Sequence, residues 1–243
     1  LRVARLRFSV RRGGTERVFG GENHDTRHYL ERSGFSTSMI DRFFHPLFSG
    51  IFLEDDLRTN ERMFRFVFRM MSKGDMILPK CGIIAAPNQL AERLGAERIH
   101  LNSHVNIVND TTIEIDGKPS SFDAVIRAFN TQQHLEKRHV WTLHFDAESS
   151  PLRSQHVLLN GDIKLHNGLI AHLAVPSDIQ PTYAPPGRSL VTVTVVGERA
   201  EAAGYTDAAA VEAAVRQELA LWFPSSSPAW RLLATQHIEH ALP

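Results

Sequence analysis

"TNERMFRFVFRMMSKGDMILPKCGIIAAPNQLAERLG", residues 59–95, places a helix, a glycine turn and a second helix in one run. Thr59 or Asn60 can cap the first helix by accepting a backbone N–H, and Gly74 stops it. Met63, Phe66, Val67 and Met70 form one stripe at helical spacing, and Phe64, Phe68 and Met71 form another. Two stripes predict burial on two sides. That suits a central core helix or a helix lining an apolar substrate cavity. Arg65 and Arg69 take the remaining face, and Glu61 precedes Arg65 by four residues, the spacing of a helical ion pair. The turn Lys80-Cys81-Gly82 then feeds "PNQLAERLG", with Pro87 in the first turn and Gly95 past the end. A glycine turn that opens a helix is a place where backbone N–H groups can meet a phosphate or cofactor.

Upstream, "TRHYLERSGFSTSMIDRFFHPLFSGIFL" (26–53) reads as a short helix closed by Gly34 and a second helix capped by Ser36 or Ser38. Pro46 is expected to kink or divide that second helix. "LRVARLRFSVRRGG" (1–14) alternates apolar and basic residues, which predicts a strand. Downstream, "RIHLNSHVNIV" (98–108) reads as one or two short strands. "TTIEIDGKPSSFDAVIRA" (111–128) reads as a hairpin turning at Asp116-Gly117, followed by a strand over "AVIRA". The rest is strand-rich. "VWTLHF" (140–145) places Trp141, Leu143 and Phe145 on one face. "LIAHLAV" (169–175) and "LVTVTVV" (190–196) alternate in the same way. One long helix, "TDAAAVEAAVRQELALWF" (206–223), follows a Thr206 cap, with Val211, Val215, Leu219 and Trp222 on its core face, and "WRLLATQHI" (230–238) is a last strand. The expected fold class is α+β: a mixed, largely antiparallel sheet covered by helices.

The chain has 243 residues, 42% of them hydrophobic, enough for a sizeable core and far from a disordered composition. Lys+Arg and Asp+Glu both number 27, so zero net charge argues against a nucleic-acid binder. Basic residues cluster at the start: Arg2, Arg5, Arg7, Arg11 and Arg12. A single cysteine, Cys81, excludes an internal disulfide or a multi-thiolate metal site. No apolar run has membrane-spanning length and no signal peptide is visible, so a soluble protein of the cytoplasm or an organelle stroma is expected. The sequence does not define the oligomeric state.

Chemical motifs are sparse. There is no Gly-x-Gly-x-x-Gly, no Walker loop and no Gly-x-Ser-x-Gly elbow. Among thirteen histidines, His24/His28 and His100/His104 are spaced i,i+4, but no third ligand completes a metal site. Cys81 beside Lys80 is a nucleophile only if a base is placed nearby, and a plain turn is the simpler reading. No catalytic residue is assigned; Lys80 is the nearest polar candidate, a solvated turn lysine on the simpler reading.

The order of the pieces carries more. "GFSTSMIDRFFHPLFSGIFLEDDLRTNERMFRFVFRMMSKGDMILPKCGIIAAPNQLAERL" (34–94), then "RIHLNSHVNIV", Asp116-Gly117, "FDAVIRA" (122–128), "VLLNGD" (157–162), "LAVPSDIQPTYAPPGRSLVTVTVVG" (173–197) and "IEHALP" (238–243) resemble the flavin-dependent amine oxidase superfamily. More closely, they are similar to its phytoene desaturase and protoporphyrinogen oxidase-like branch. The resemblance implies an FAD-binding domain woven together with a substrate domain: residues 1–73 the helical part of the substrate domain, 74–130 part of the FAD-binding domain, and 131–243 the sheet part. It implies that Gly82, Val105 and Ala128 lie along FAD, with Cys81 in place of the first glycine of a glycine pair. It implies hydride transfer from an organic, apolar substrate to flavin, with Phe64, Phe68, Met71 and the sheet near Trp141 as the substrate wall. It also implies that the glycine fingerprint and the C-terminal flavin segment lie outside this chain, an internal fragment of the family's length. The alternative is a non-catalytic remnant that binds a lipophilic ligand or a partner protein.

Overall fold

A computed structural model describes residues 2–20, 23–128, 138–164 and 166–242. The chain divides into two compact units, Leu1–Lys80 with Glu136–Pro243, and Cys81–Leu135. The larger unit begins with helices α1 (Arg2–Arg11), α2 (Thr15–Phe19), α3 (Thr26–Arg32), α4 (Thr37–Met39), α5 (His45–Phe52) and α6 (Glu61–Lys73). The N-terminal segment is thus helical, correcting the expected strand. Leu6 and Val10, four residues apart, are buried in one cluster with Phe44 and Phe64. An alternating pattern this short also satisfies a helical stripe, and α6 offers α1 a face to cover. Arg69 does not face solvent either. Its buried guanidinium donates to the Val10 and Gly13 carbonyls, acceptors that the end of α1 leaves without helical partners.

Pro46 does divide its helix. A π-helical turn over Ile40–Phe44 separates α4 from α5, and the His45 N–H reaches back to the Ile40 carbonyl. The wider turn accommodates a proline ring that would strike a carbonyl four residues back in an α-helix. Ser36, Asn60 and Asp25 accept the capping N–H bonds of α4, α6 and α3. Phe44, Phe48 and Phe64 are fully buried at the centre of this helical cluster.

The smaller unit holds α7 (Ala85–Leu94) and an antiparallel meander of β1 (Val105–Ile107), β2 (Thr112–Ile115) and β3 (Lys118–Ser121), in the order β1-β2-β3. α7 begins two residues before Pro87, which sits in its first turn as expected. Asp116 and Gly117 both take positive φ, 50° and 80°, as the tight hairpin turn requires. Residues 124–128 form no strand, correcting that expectation. The Val125 N–H bonds to the Asp110 carbonyl instead of a ladder, and Ile126 is 90% exposed.

The larger unit resumes with β4 (Arg138–Ala147), β5 (Leu158–Leu159), β6 (Ile170–Ala174), α8 (Pro176–Ile179), β7 (Ser189–Val196), α9 (Gly197–Ala202), α10 (Ala208–Trp222) and β8 (Arg231–Leu242). The five strands form an antiparallel sheet in the order β5-β6-β7-β4-β8. Asp207, not Thr206, caps α10, its carboxylate accepting from Ala209 and Ala210 N–H. Alternation sorts the sheet's faces. Trp141, Leu143, Phe145, Val191, Val193 and Val195 join Val211, Val215 and Leu219 of α10 in one core. Thr142, His144, Thr192 and Thr194 fall on the opposite, half-buried face. There α5 packs on β6 and β7, with Gly50 so close to the His172 ring that any Cβ would overlap it. This is the mixed α+β fold with antiparallel sheets that the sequence predicts. Among the described residues, no helix is long and apolar enough to cross a membrane.

Candidate functional site

Three places carry the residues of interest. The first is the glycine turn. Gly82 has φ +80°, and a Cβ built there would meet nothing within 4 Å. Its carbonyl accepts the Ala85 N–H at the start of α7. On the other side the turn is pinned: the Thr182 hydroxyl donates to the Lys80 carbonyl at 3.0 Å, and the Tyr183 hydroxyl donates to the Pro79 carbonyl at 3.1 Å. The proline-rich segment that follows β6 therefore holds the peptide leading into the turn. Cys81 and Lys80 are exposed. Val105 lies on β1, an edge strand of the meander, and Ala128 is exposed.

The second place is the aromatic helical cluster. The rings of Phe64 and Phe68 stack at 5.7 Å, and Met71 packs against the same cluster. Phe64 is fully buried, whereas Phe68 and Met71 are half-buried and present part of their surface. The structure does not bring Trp141 to them. Trp141 lies in the core on the α10 side of the sheet, its ring stacked on His237 at 3.9 Å. The sheet's other face instead presents His144, whose Nδ1 is 3.0 Å from the Thr192 hydroxyl, with Gln236 as a further partner. Burial holds His144 below the ordinary histidine range, against the Gln236 hydrogen bond, so it is neutral near pH 7.

The third place was not legible as a site in the sequence. A cavity of about 1560 Å³ opens between α9, α10 and the segments 160–164 and 166–169 of the larger unit. Its wall is built around Glu218. One carboxylate oxygen accepts from Asn160 Nδ2 at 2.7 Å, and the other accepts the Leu169 and Ile170 N–H groups at 2.8 and 3.0 Å. Asn160 also donates to the Ile170 carbonyl at 2.9 Å. Gly168 leaves room for this arrangement, since a Cβ would come within 2.7 Å of both Asn160 Nδ2 and Glu218 Oε1 and push those side chains aside. Burial raises the Glu218 carboxyl above its ordinary pKa, and these hydrogen bonds oppose that. Glu218→Ala strands three donors and is expected to lower unfolding free energy by about 2 kcal/mol, with Glu218→Gln recovering part of the loss. Urea denaturation measures it, and an unchanged midpoint refutes a stabilising role for these three hydrogen bonds.

At the cavity's inner end, Asp55 joins the helical and sheet parts of the unit. Its carboxylate pairs with Arg199 of α9 and lies 3.2 Å from His45 Nε2. Glu198 beside Arg199 accepts the Asp55 N–H at 3.3 Å and pairs with Arg58. Among the described residues, no group of three or more His, Cys, Asp and Glu side chains is arranged to hold a metal. The rings of His24 and His28 lie 4.6 Å apart, without such a third ligand.

A model of the flavin containing amine oxidoreductase family matches residues 1–237. No curated protein matches the chain. Among solved structures, an oxidoreductase from Methanosarcina mazei is similar over 100% of this chain and 61% of its own, at 16% identity and a TM-score of 0.71. Putrescine oxidase bound to putrescine is similar over 97% of this chain and 60% of its own, at 13% identity and 0.67. Reduced UDP-galactopyranose mutase is similar over 94% and 59%, at 14% identity and 0.55. The chain thus spans about three fifths of the length of these structures, and the likeness to them is one of fold. With residues 1–237 matched, the chain belongs to the flavin-containing amine oxidoreductase family.

Proposed function

We propose that the chain forms the substrate-binding part, and one edge of the cofactor-binding part, of an FAD-dependent oxidoreductase that takes a hydride from an organic, apolar substrate. The observation that carries this reading is the Gly82 turn. A left-handed glycine with open space above it, at the start of a helix and pinned upstream by Thr182 and Tyr183, lets a flat or anionic ligand approach the backbone closely. The residues present suit FAD in that respect: Gly82, the edge-strand backbone at Val105, and Ala128 would hold it. Bound FAD supplies the hydride acceptor. The chain's own contribution is binding and orientation. Phe68 and Met71 offer apolar surface, and the Phe64 beneath them sets their positions. Neutral His144, held by Thr192 and Gln236 on a rigid sheet, gives that face a polar group without bringing a charge.

The test is colour and uptake. Purified protein is expected to show the visible absorption band of oxidised flavin, or to acquire it with added FAD, and Gly82→Val is expected to weaken FAD binding about tenfold or more by forcing a branched side chain to positive φ. A colourless protein that takes up no FAD rejects the reading and leaves the alternative, a non-catalytic module binding a lipophilic ligand or a partner. The surface of the smaller unit is compatible with that alternative, since every described residue of 81–128 is at least partly exposed, Ile83 at 80% and Leu101 at 78%.

A further inference from the structure

The cavity beside α9 and α10 plays no part in the flavin reading, yet it has the parts of a binding site. Its wall is largely apolar, with Leu152, Leu158, Leu169, Trp222 and Phe223 contributing. Its volume, about 1560 Å³, exceeds that of an ordinary small-molecule pocket. Among these residues stands Arg199, nine-tenths buried. One guanidinium nitrogen, Nη2, is paired with Asp55, while Nη1 is shut off from solvent and has no hydrogen-bond partner. A buried donor left without an acceptor is uncommon, because its desolvation goes uncompensated. Nη1 is covered as it stands, so an oxygen from the cavity reaches it once a covering side chain shifts, and it then displaces no existing bond.

The surrounding charges favour an anionic oxygen. Burial pushes the Arg199 pKa down only to about 10, so the guanidinium is charged near neutral pH. Lys164 lies on the exposed rim of the same cavity. Of the acids that line it, Asp55 is paired with Arg199, Asp162 with Arg42 at 2.7 Å, and Glu218 is occupied by Asn160 and two backbone N–H groups. We infer that this cavity binds a small amphipathic carboxylate, its apolar chain lying against Leu158, Leu169, Trp222 and Phe223 and its carboxylate meeting Arg199 Nη1. Arginine suits this role because its planar fork can serve Asp55 and a second carboxylate at once.

Isothermal titration of the purified chain with dodecanoate, at sub-micellar concentration, tests this without reference to flavin content. Saturable binding is expected, with dodecanol, which lacks the carboxylate, about tenfold weaker. Arg199→Lys keeps an ion pair with Asp55 but loses the second arm of the fork; it is expected to weaken dodecanoate about tenfold and leave dodecanol unchanged. Ala214→Trp, on the cavity wall, is expected to abolish binding of both by filling the space. The proposal is overturned by any of three results: no saturable dodecanoate binding, equal affinity for the alcohol, or binding that persists in Ala214→Trp. FAD uptake by the same preparations reports separately on the flavin reading, so either can fail while the other stands.

Discussion

Phe64→Ala is expected to lower the unfolding free energy by about 3–5 kcal/mol, the range for truncating a fully buried phenylalanine. Phe64 has no exposed surface. Its ring lies 4.6 Å from Phe48, 5.7 Å from Phe68, 5.8 Å from Tyr29 and 6.0 Å from Phe44. Those neighbours come from α3, the π-turn, α5 and α6. Apart from Phe64's own helix, they lie on two segments, α3 and the continuous π-turn with α5, which cannot both close on the vacated volume, so the hole stays open and the cost falls in the upper range. Met71 on the same helix is half-buried and shares only part of its surface with the cluster, so Met71→Ala is expected to cost about 1 kcal/mol. Urea unfolding with unchanged slope measures both. A Phe64→Ala loss below that of Met71→Ala would show Phe64 to be a cavity lining residue and not the keystone of the helical core.

That contrast shows what was legible in the sequence. Two apolar stripes on residues 61–73 predict burial on both sides, and the structure seals one: Phe64, Phe68 and Met71 pack into the Phe44/Phe48 cluster, whereas Met63 and Met70 of the other stripe are exposed, Phe66 rests on Phe19, and the buried Arg69 meets α1. Periodicity could not say which stripe is sealed, because that depends on partners distant in the chain. The same limit explains the N-terminal segment. Ten residues of alternating apolar and basic character fit a strand or a helix, and the choice is made by α6, some fifty residues on. Turn chemistry was more secure. Asp116-Gly117, Gly34 and Pro46 act through their own backbone restrictions, and each does in the structure what its covalent geometry dictates. The family resemblance was carried by the order of short motifs, a property of the whole chain. The cavity was not legible, because it is assembled from Asp55, Arg199 and Glu218, which have no common spacing. One trace of it did stand in the sequence: the "NGD" of 160–162 and Gly168 are small or polar residues within an otherwise apolar strand pair.

His45 is expected to make the protein acid-labile well above the carboxylate range. It is fully buried, with Nε2 directed at the Asp55 carboxylate and carbonyl and Nδ1 without a partner. Burial first, then the charges of Lys164, Arg199 and Arg27, push its pKa down to about 3, against a smaller opposing pull from Asp41. In the unfolded chain the same imidazole titrates at about 6.5. Between those values the unfolded state binds a proton that the folded state refuses, so unfolding binds protons and stability rises with pH. The contribution is intact above about pH 6.5 and is lost as the pH falls toward the folded value. At 1.36 kcal/mol per pH unit, His45 alone withdraws about 2 kcal/mol by pH 5. His144 and His172 are shifted down by burial as well and act with the same sign. Glu218, raised by burial, acts oppositely, gaining stability as the pH falls from above its folded pKa toward the ordinary glutamate range. His45→Gln keeps a donor toward Asp55 but cannot titrate. Comparing the two proteins isolates the histidine: the variant's unfolding free energy is expected to fall about 2 kcal/mol less between pH 7 and pH 5. Parallel curves for the two proteins would mean that His45 takes up its proton inside the fold, with water or a shifted Asp55 in attendance, and that the junction between α5 and α9 is open to solvent.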